Sequence, residues 1–114
     1  MPNPRELTDR ERAFVERMLS IAGLSNSSFA KQVSTLHVVD QCDCGCPSVD
    51  FMPSPTGHSA VDAYARTRDG GLVGAILWQK DGRIAGLEVH SIEADPTELP
   101  DPHTLSIDGD DDAG

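Results

Sequence analysis

The pair Asp81-Gly82 constrains this chain more than any other feature. It is a preferred dipeptide for a two-residue hairpin turn, whose two central residues both need positive φ. With Lys80 and Arg83 as flanks, counting outward pairs Trp78 with Ala85, Ile76 with Leu87, Gly74 with Val89 and Leu72 with Ser91. Asp69-Gly70 supplies a second turn. As another two-residue loop it sets Thr67 opposite Leu72, Ala65 opposite Gly74, Ala63 opposite Ile76 and Val61 opposite Trp78. Both turns send the same residues of the shared middle strand toward the core. A one-residue slip would reverse every side chain. The expectation is a meander with strands over 60–68, 72–79 and 84–91.

An antiparallel meander with one apolar face needs a cover. Two amphipathic segments upstream fit that need. Thr8-Asp9-Arg10-Glu11 reads as a capping box, in which Thr8 and Glu11 satisfy each other's backbone N–H. Phe14, Val15, Met18, Leu19 and Ala22 follow at helical spacing, and Gly23 is a suitable stop, so a helix is expected over 9–22. Ser25, Asn26, Ser27 and Ser28 offer a second N-cap, and Phe29, Val33 and Leu36 mark a short helix over 27–35. Leu36-His37-Val38-Val39 also suits the opening of a strand, because β-branched residues cluster there. Ser48–Met52 alternates and reads as a fourth strand. The predicted class is α+β, with two N-terminal helices packed on one face of an antiparallel sheet of about four strands, in the order α-α-β-β-β-β.

The expected organisation is a frayed 1–6, a single domain over 7–92 and an acidic, Pro-containing segment over 93–114. Charge supports the last boundary. The net charge is −10, yet residues 84–114 hold nine of the 19 acids and no Lys or Arg. Such a segment repels nucleic acid and anionic lipid and attracts a basic protein. Acidic ends are also commonly just solvated. No apolar run approaches the ~18 residues of a membrane span, and the N-terminus carries no apolar leader pattern. Three cysteines, an odd number, argue against a secreted disulfide framework. The expected setting is the cytoplasm, with reduced thiols.

Chemistry-bearing residues concentrate in two places. The first is Cys42-Asp43-Cys44-Gly45-Cys46-Pro47. Thiolates are good zinc ligands, and a turn at Gly45 would let Cys42, Cys44 and Cys46 converge with a histidine, for which His37 is the nearest in sequence. The spacing is not that of two separated Cys-x-x-Cys knuckles. In an extended strand alternate thiols stand roughly 6.5–7 Å apart, too far for three Zn–S bonds of about 2.3 Å. Burial as small hydrophobes is the plainer reading. Asp40, Asp43 and Asp50 surround the run, and negative neighbours disfavour a reactive thiolate.

The second place is the outer face of the meander. The register above lines Tyr64 up with Ala75 and Glu88, and Arg66 with Val73 and His90. Tyr64, Arg66, Glu88 and His90 there form a candidate ligand or partner surface. The plainer reading is a solvated sheet face with one weak ion pair. No zinc-protease helix, nucleophile elbow, phosphate loop or dinucleotide fingerprint occurs.

By elimination the expected function is a non-enzymatic protein-interaction module for a basic partner. The alternatives are a zinc-binding domain on the cysteine run, and a small enzyme or ligand binder on the outer face. An unpaired strand, 48–52 or 84–91, would give a homodimer through the sheet edge.

Overall fold

The computed structural model describes residues 4–41, 45–53 and 57–107. Helix α1, Asp9–Ile21, starts on the expected capping box: Glu11 N donates to Thr8 Oγ1 (3.0 Å) and Thr8 N to Glu11 Oε1 (2.9 Å). Phe14, Val15, Met18 and Leu19 form its buried stripe. Helix α2 is short, Ser28–Gln32, and its last turn tightens into a 3-10 turn over Val33–Thr35.

Among the described residues seven strands pair antiparallel. β1 (Arg5–Glu6) pairs with β2 (His37–Val38) as a small separate ribbon. β3 (Asp40–Gln41), β4 (Val49–Asp50), β5 (His58–Arg66), β6 (Leu72–Lys80) and β7 (Arg83–Ser91) make a five-stranded sheet in the order β3-β4-β7-β6-β5. The class is α+β, as expected, with one strand more in the main sheet and a ribbon beside it. Arg5–Glu6, expected to fray, are held by that ribbon.

The Asp81-Gly82 turn forms with both residues at positive φ (54° and 80°), and Lys80 faces Arg83. The register beyond it differs from the simple count. Gln79 faces Ile84, but Trp78 faces Gly86, so Ala85 is an extra residue bulged out of the pairing. The other turn differs too. Arg66 faces Leu72, and residues 67–71 form a wider loop closed by Thr67 N donating to Gly71 O (2.9 Å). Both corrections shift β6 by one residue. Val73, Ala75 and Leu77 therefore enter the core, each with 0 % exposure. Leu72, Gly74, Ile76 and Trp78 move to the outer face. The bulge lets Ile84, Leu87 and Val89 all point inward, although they do not share one alternation.

Val61, Ala63 and Ala65 of β5 join these residues and the helix stripes in a single cluster. The core does not end at Ile92, where the apolar pattern stops. Leu99 and Leu105 belong to it, and Ser106 pairs with Tyr64 on the free edge of β5. The sheet edges are β3 and β5. The two strands expected to be edges lie inside: β4 between β3 and β7, and β7 between β4 and β6. Among the described residues no helix is long and apolar enough to cross a membrane.

Candidate functional site

Both helices pack into the inner cluster, and among the described residues none lies on the other face of the sheet. Alternation places three rows of side chains there. Tyr64, Gly74 and His90 form one row; Asp62, Ile76 and Glu88 the next; Ser59, Trp78, Gly86, Asp50 and Asp40 the third. Tyr64, Leu72, Ile76 and Trp78 are partly exposed.

The corrected register changes which sequence-predicted residues meet. Tyr64 lines up with Gly74 and His90, not with Ala75 and Glu88. Gly74 has a specific use here: the imidazole of His90 lies over it, and a Cβ at that position would run into the ring. Glu88 is fixed by Trp78, whose Nε1 donates to Glu88 Oε1 (3.1 Å). Its other oxygen lies 3.8 Å from His90 Nδ1. That nitrogen is buried and has no hydrogen-bond partner among the described residues. Arg66 does not join the group. Its guanidinium turns to the 67–71 loop, donating to Gly70 O (2.9 Å) and lying 3.8 Å from Glu93. The site is therefore Tyr64, Trp78, Glu88 and His90 on an apolar floor. Trp78 was missed because the simple count had put it inside.

The carboxylates along the third row repel one another. Burial, and then the charge of neighbouring Asp40, raise the pKa of Asp50 above the ordinary carboxylate value. The acidic groups Asp40, Asp50, Asp62 and Glu88 span the middle of the face.

Of the cysteine run, Cys46 meets this face at one side. β4 is short, and beyond it Ser48 Oγ continues the pairing by accepting from Val89 N (2.9 Å). Cys46, Ser48, Glu88 and His90 border one depression of about 620 Å³. His37 lies elsewhere. Its Nδ1 sits 3.1 Å from Thr35 O, and it lines a separate cleft with Phe51 and Arg83. Cys42 and Cys44 lie outside the described residues, among which no three His, Cys, Asp or Glu side chains are grouped to hold a metal ion. A larger depression, about 820 Å³, opens between the 67–71 loop and the segment after β7, but its cations are engaged internally. Arg68 pairs with Glu98 (3.2 Å) and Arg10 donates to Leu99 O (3.4 Å).

No protein-family model matches the sequence, and neither the curated proteins nor the solved structures yield a match.

Proposed function

We propose that the chain is a non-enzymatic interaction module that binds a basic protein through the uncovered face of its main sheet. The observation that carries this reading is the composition of that face. Partly exposed aromatic and aliphatic side chains, Tyr64, Ile76 and Trp78, sit among Asp40, Asp50, Asp62 and Glu88. An aromatic anchor inside a charged setting is the usual make-up of a binding hot spot and its rim. Lys or Arg side chains of a partner would relieve the repulsion between Asp40 and Asp50. The net charge of −10 would speed the encounter at low salt.

The test uses the full chain as bait, identifies the captured partner, and measures its affinity by calorimetry. Trp78→Ala is expected to weaken binding by about thirtyfold, the equivalent of a typical hot-spot truncation near 2 kcal/mol. Asp50→Asn should weaken it less, and mainly at low salt. Removing residues 108–114 should leave the affinity near that of the full chain. A folded Trp78→Ala variant that holds its partner as tightly as the unaltered chain would overturn the reading, as would a partner that is acidic.

A second reading, zinc held by the cysteine run, is favoured by one observation. Cys46 borders the same depression as His90, whose Nδ1 is buried without a hydrogen bond to any described residue. In this reading His90 replaces His37 as the histidine ligand. Protein purified without chelator should then carry about one zinc per chain and lose fold when chelated. Metal-free protein with an unchanged melting curve in chelator would remove this reading.

A further inference from the structure

The hairpin end of the molecule holds a cleft of about 650 Å³ between the 3-10 turn after α2, the residues following β4, and the start of β7. Four apolar side chains line it: Leu36, Phe51, Met52 and Ile84. One group able to donate to an anion, Arg83, also lines it; His37 lines it with Nδ1 donating to Thr35 O (3.1 Å), which leaves Nε2 of the neutral ring an acceptor. Its size falls within the usual range for small-molecule sites, roughly 300–1,000 Å³.

A side-chain clamp fixes the walls. Gln32, on α2, donates from Nε2 to Gly82 O (2.9 Å) and accepts at Oε1 from Ile84 N (2.8 Å). Its amide thus ties the helix side of the cleft to the hairpin. Both polar ends of Gln32 are used in this way.

Arg83 is different. Its side chain makes no hydrogen bond or ion pair with any described residue. Arg12, Arg17 and Lys31 likewise make none with the described residues, and what sets Arg83 apart is its place beside the cleft. Arg5, Arg66 and Arg68 each have a carboxylate partner. The antiparallel register also separates charge along the strands. Lys80 and Arg83 close the hairpin end of β6 and β7, and His58 faces Gln79 there, with Asp81 the acid of the turn. At the other end of the same strands Asp69, Glu93, Asp95, Glu98 and Asp101 stand with Arg10, Arg66 and Arg68. The hairpin end is thus the less acidic of the two.

We propose that this cleft binds a small monocarboxylate with an apolar body. The carboxylate takes the planar fork of Arg83, a bidentate match of charge and geometry. The apolar body lies against Leu36, Phe51, Met52 and Ile84. Phe51 and Ile84 are already buried in the core (8 % and 2 % exposed), so Leu36 and Met52 supply most of the open apolar wall. This site is separate from the outer sheet face and stands or falls independently of the proposed function.

The probe is octanoate, titrated into the full chain and followed by amide chemical shifts and calorimetry. Saturable one-to-one binding is expected, with the largest shifts at Leu36, Phe51, Met52 and Ile84. Octan-1-ol, of the same length but neutral, should bind at least about tenfold more weakly, and so should octanoate to Arg83→Gln. Acetate, which lacks the apolar body, should show no saturation in the same range. Trp78→Ala should bind octanoate as the unaltered chain does. The proposal is overturned by octanoate that fails to saturate, by octan-1-ol or acetate binding as well as octanoate, or by unchanged affinity in a folded Arg83→Gln.

Discussion

A chain shortened to residues 1–92 is expected to lose most of its stability, whereas one shortened to 1–107 should unfold like the full chain. The reason is where Leu99 and Leu105 sit. They are 8 % and 4 % exposed and belong to the same cluster as Phe14 and Leu77. Emptying one buried leucine site costs about 2–5 kcal/mol. Losing two approaches the whole margin of a domain this size, about 5–15 kcal/mol. Backbone bonds go as well. Glu93 N donates to Leu72 O (2.8 Å), Tyr64 and Ser106 exchange a pair (2.8 and 2.9 Å), and Arg66 N donates to Thr104 Oγ1 (3.1 Å). Without Ser106 the free edge of β5 is longer and more open to other chains.

Urea unfolding followed by circular dichroism checks this. The midpoint of the 1–92 chain should fall far below that of the full chain, with a broad transition and a tendency to aggregate. Leu105→Ala, with every residue still present, should show a fall of about 2–5 kcal/mol. If the 1–92 chain unfolds at the full chain's midpoint with the same steepness, Leu99 and Leu105 are not part of the core.

The same segment shows what a sequence reading can miss. Apolar residues in it are sparse and separated by prolines and acids, so no periodicity marks them. Their burial comes from tertiary placement, not from an amphipathic element. Composition marked the segment as acidic, and Glu93, Asp95, Glu98 and Asp101 do face outward, but charge says nothing of the two leucines beneath. The capping box at Thr8 and the turn at Asp81-Gly82 were legible because each is set by local chemistry alone.

Register was only half legible, for a reason that can be assigned to β6. On β5, Val61, Ala63 and Ala65 alternate with Asp62, Tyr64 and Arg66, which settles the inward face. On β7, Leu87 and Val89 alternate with Glu88 and His90. On β6 both faces are apolar: Leu72, Ile76 and Trp78 on one, Val73, Ala75 and Leu77 on the other. Nothing in that strand resists a one-residue slip. Two register counts that agreed with each other were both displaced by one, the first by the Ala85 bulge beyond a correctly placed turn and the second by the wider 67–71 loop. A signal existed: Ile84 and Leu87 are apolar at odd spacing, so a regular strand could not bury both, and a bulge between them resolves it. Deciding β6 from its neighbours would have put Trp78 outside, beside Glu88. Tyr64, Glu88 and His90 were placed on the outer face from their own strands, but Trp78 was not, and the partners of all of them depended on that register.

Glu11→Ala is expected to destabilise the fold by about 2 kcal/mol, from the lost capping-box bond and the lost Arg5 pair. Glu11 is only 7 % exposed, yet it carries charge. Both its oxygens are taken: Arg5 Nη1 donates to Oε1 and Nη2 to Oε2 (2.9 Å each), and Thr8 N donates to Oε1 (2.9 Å). Burial opposes ionisation and is the strongest influence by itself. The Arg5 hydrogen bonds, the Thr8 N–H and the Arg5 charge together outweigh it, so the pKa of Glu11 lies below the ordinary 4.5. Since the folded value is the lower one, this stabilisation is present in full above the ordinary glutamate value. It is lost as pH falls from there through the folded pKa. Glu11→Gln removes the titration, so the stability gap between it and the unaltered chain should be widest near neutral pH and should narrow below pH 4.5.

Arg5→Ala leaves the carboxylate buried with the Thr8 N–H but without its cation, and acid should then unfold the chain at a higher pH. Arg5 is 38 % exposed in its side chain, so water moderates the pair. The coupling in an Arg5/Glu11 double-mutant cycle should be about 1–2 kcal/mol at neutral pH. It should fade toward zero in acid as Glu11 takes up its proton. A coupling that stays the same at both pH values would mean that packing, and not charge, ties β1 to the start of α1.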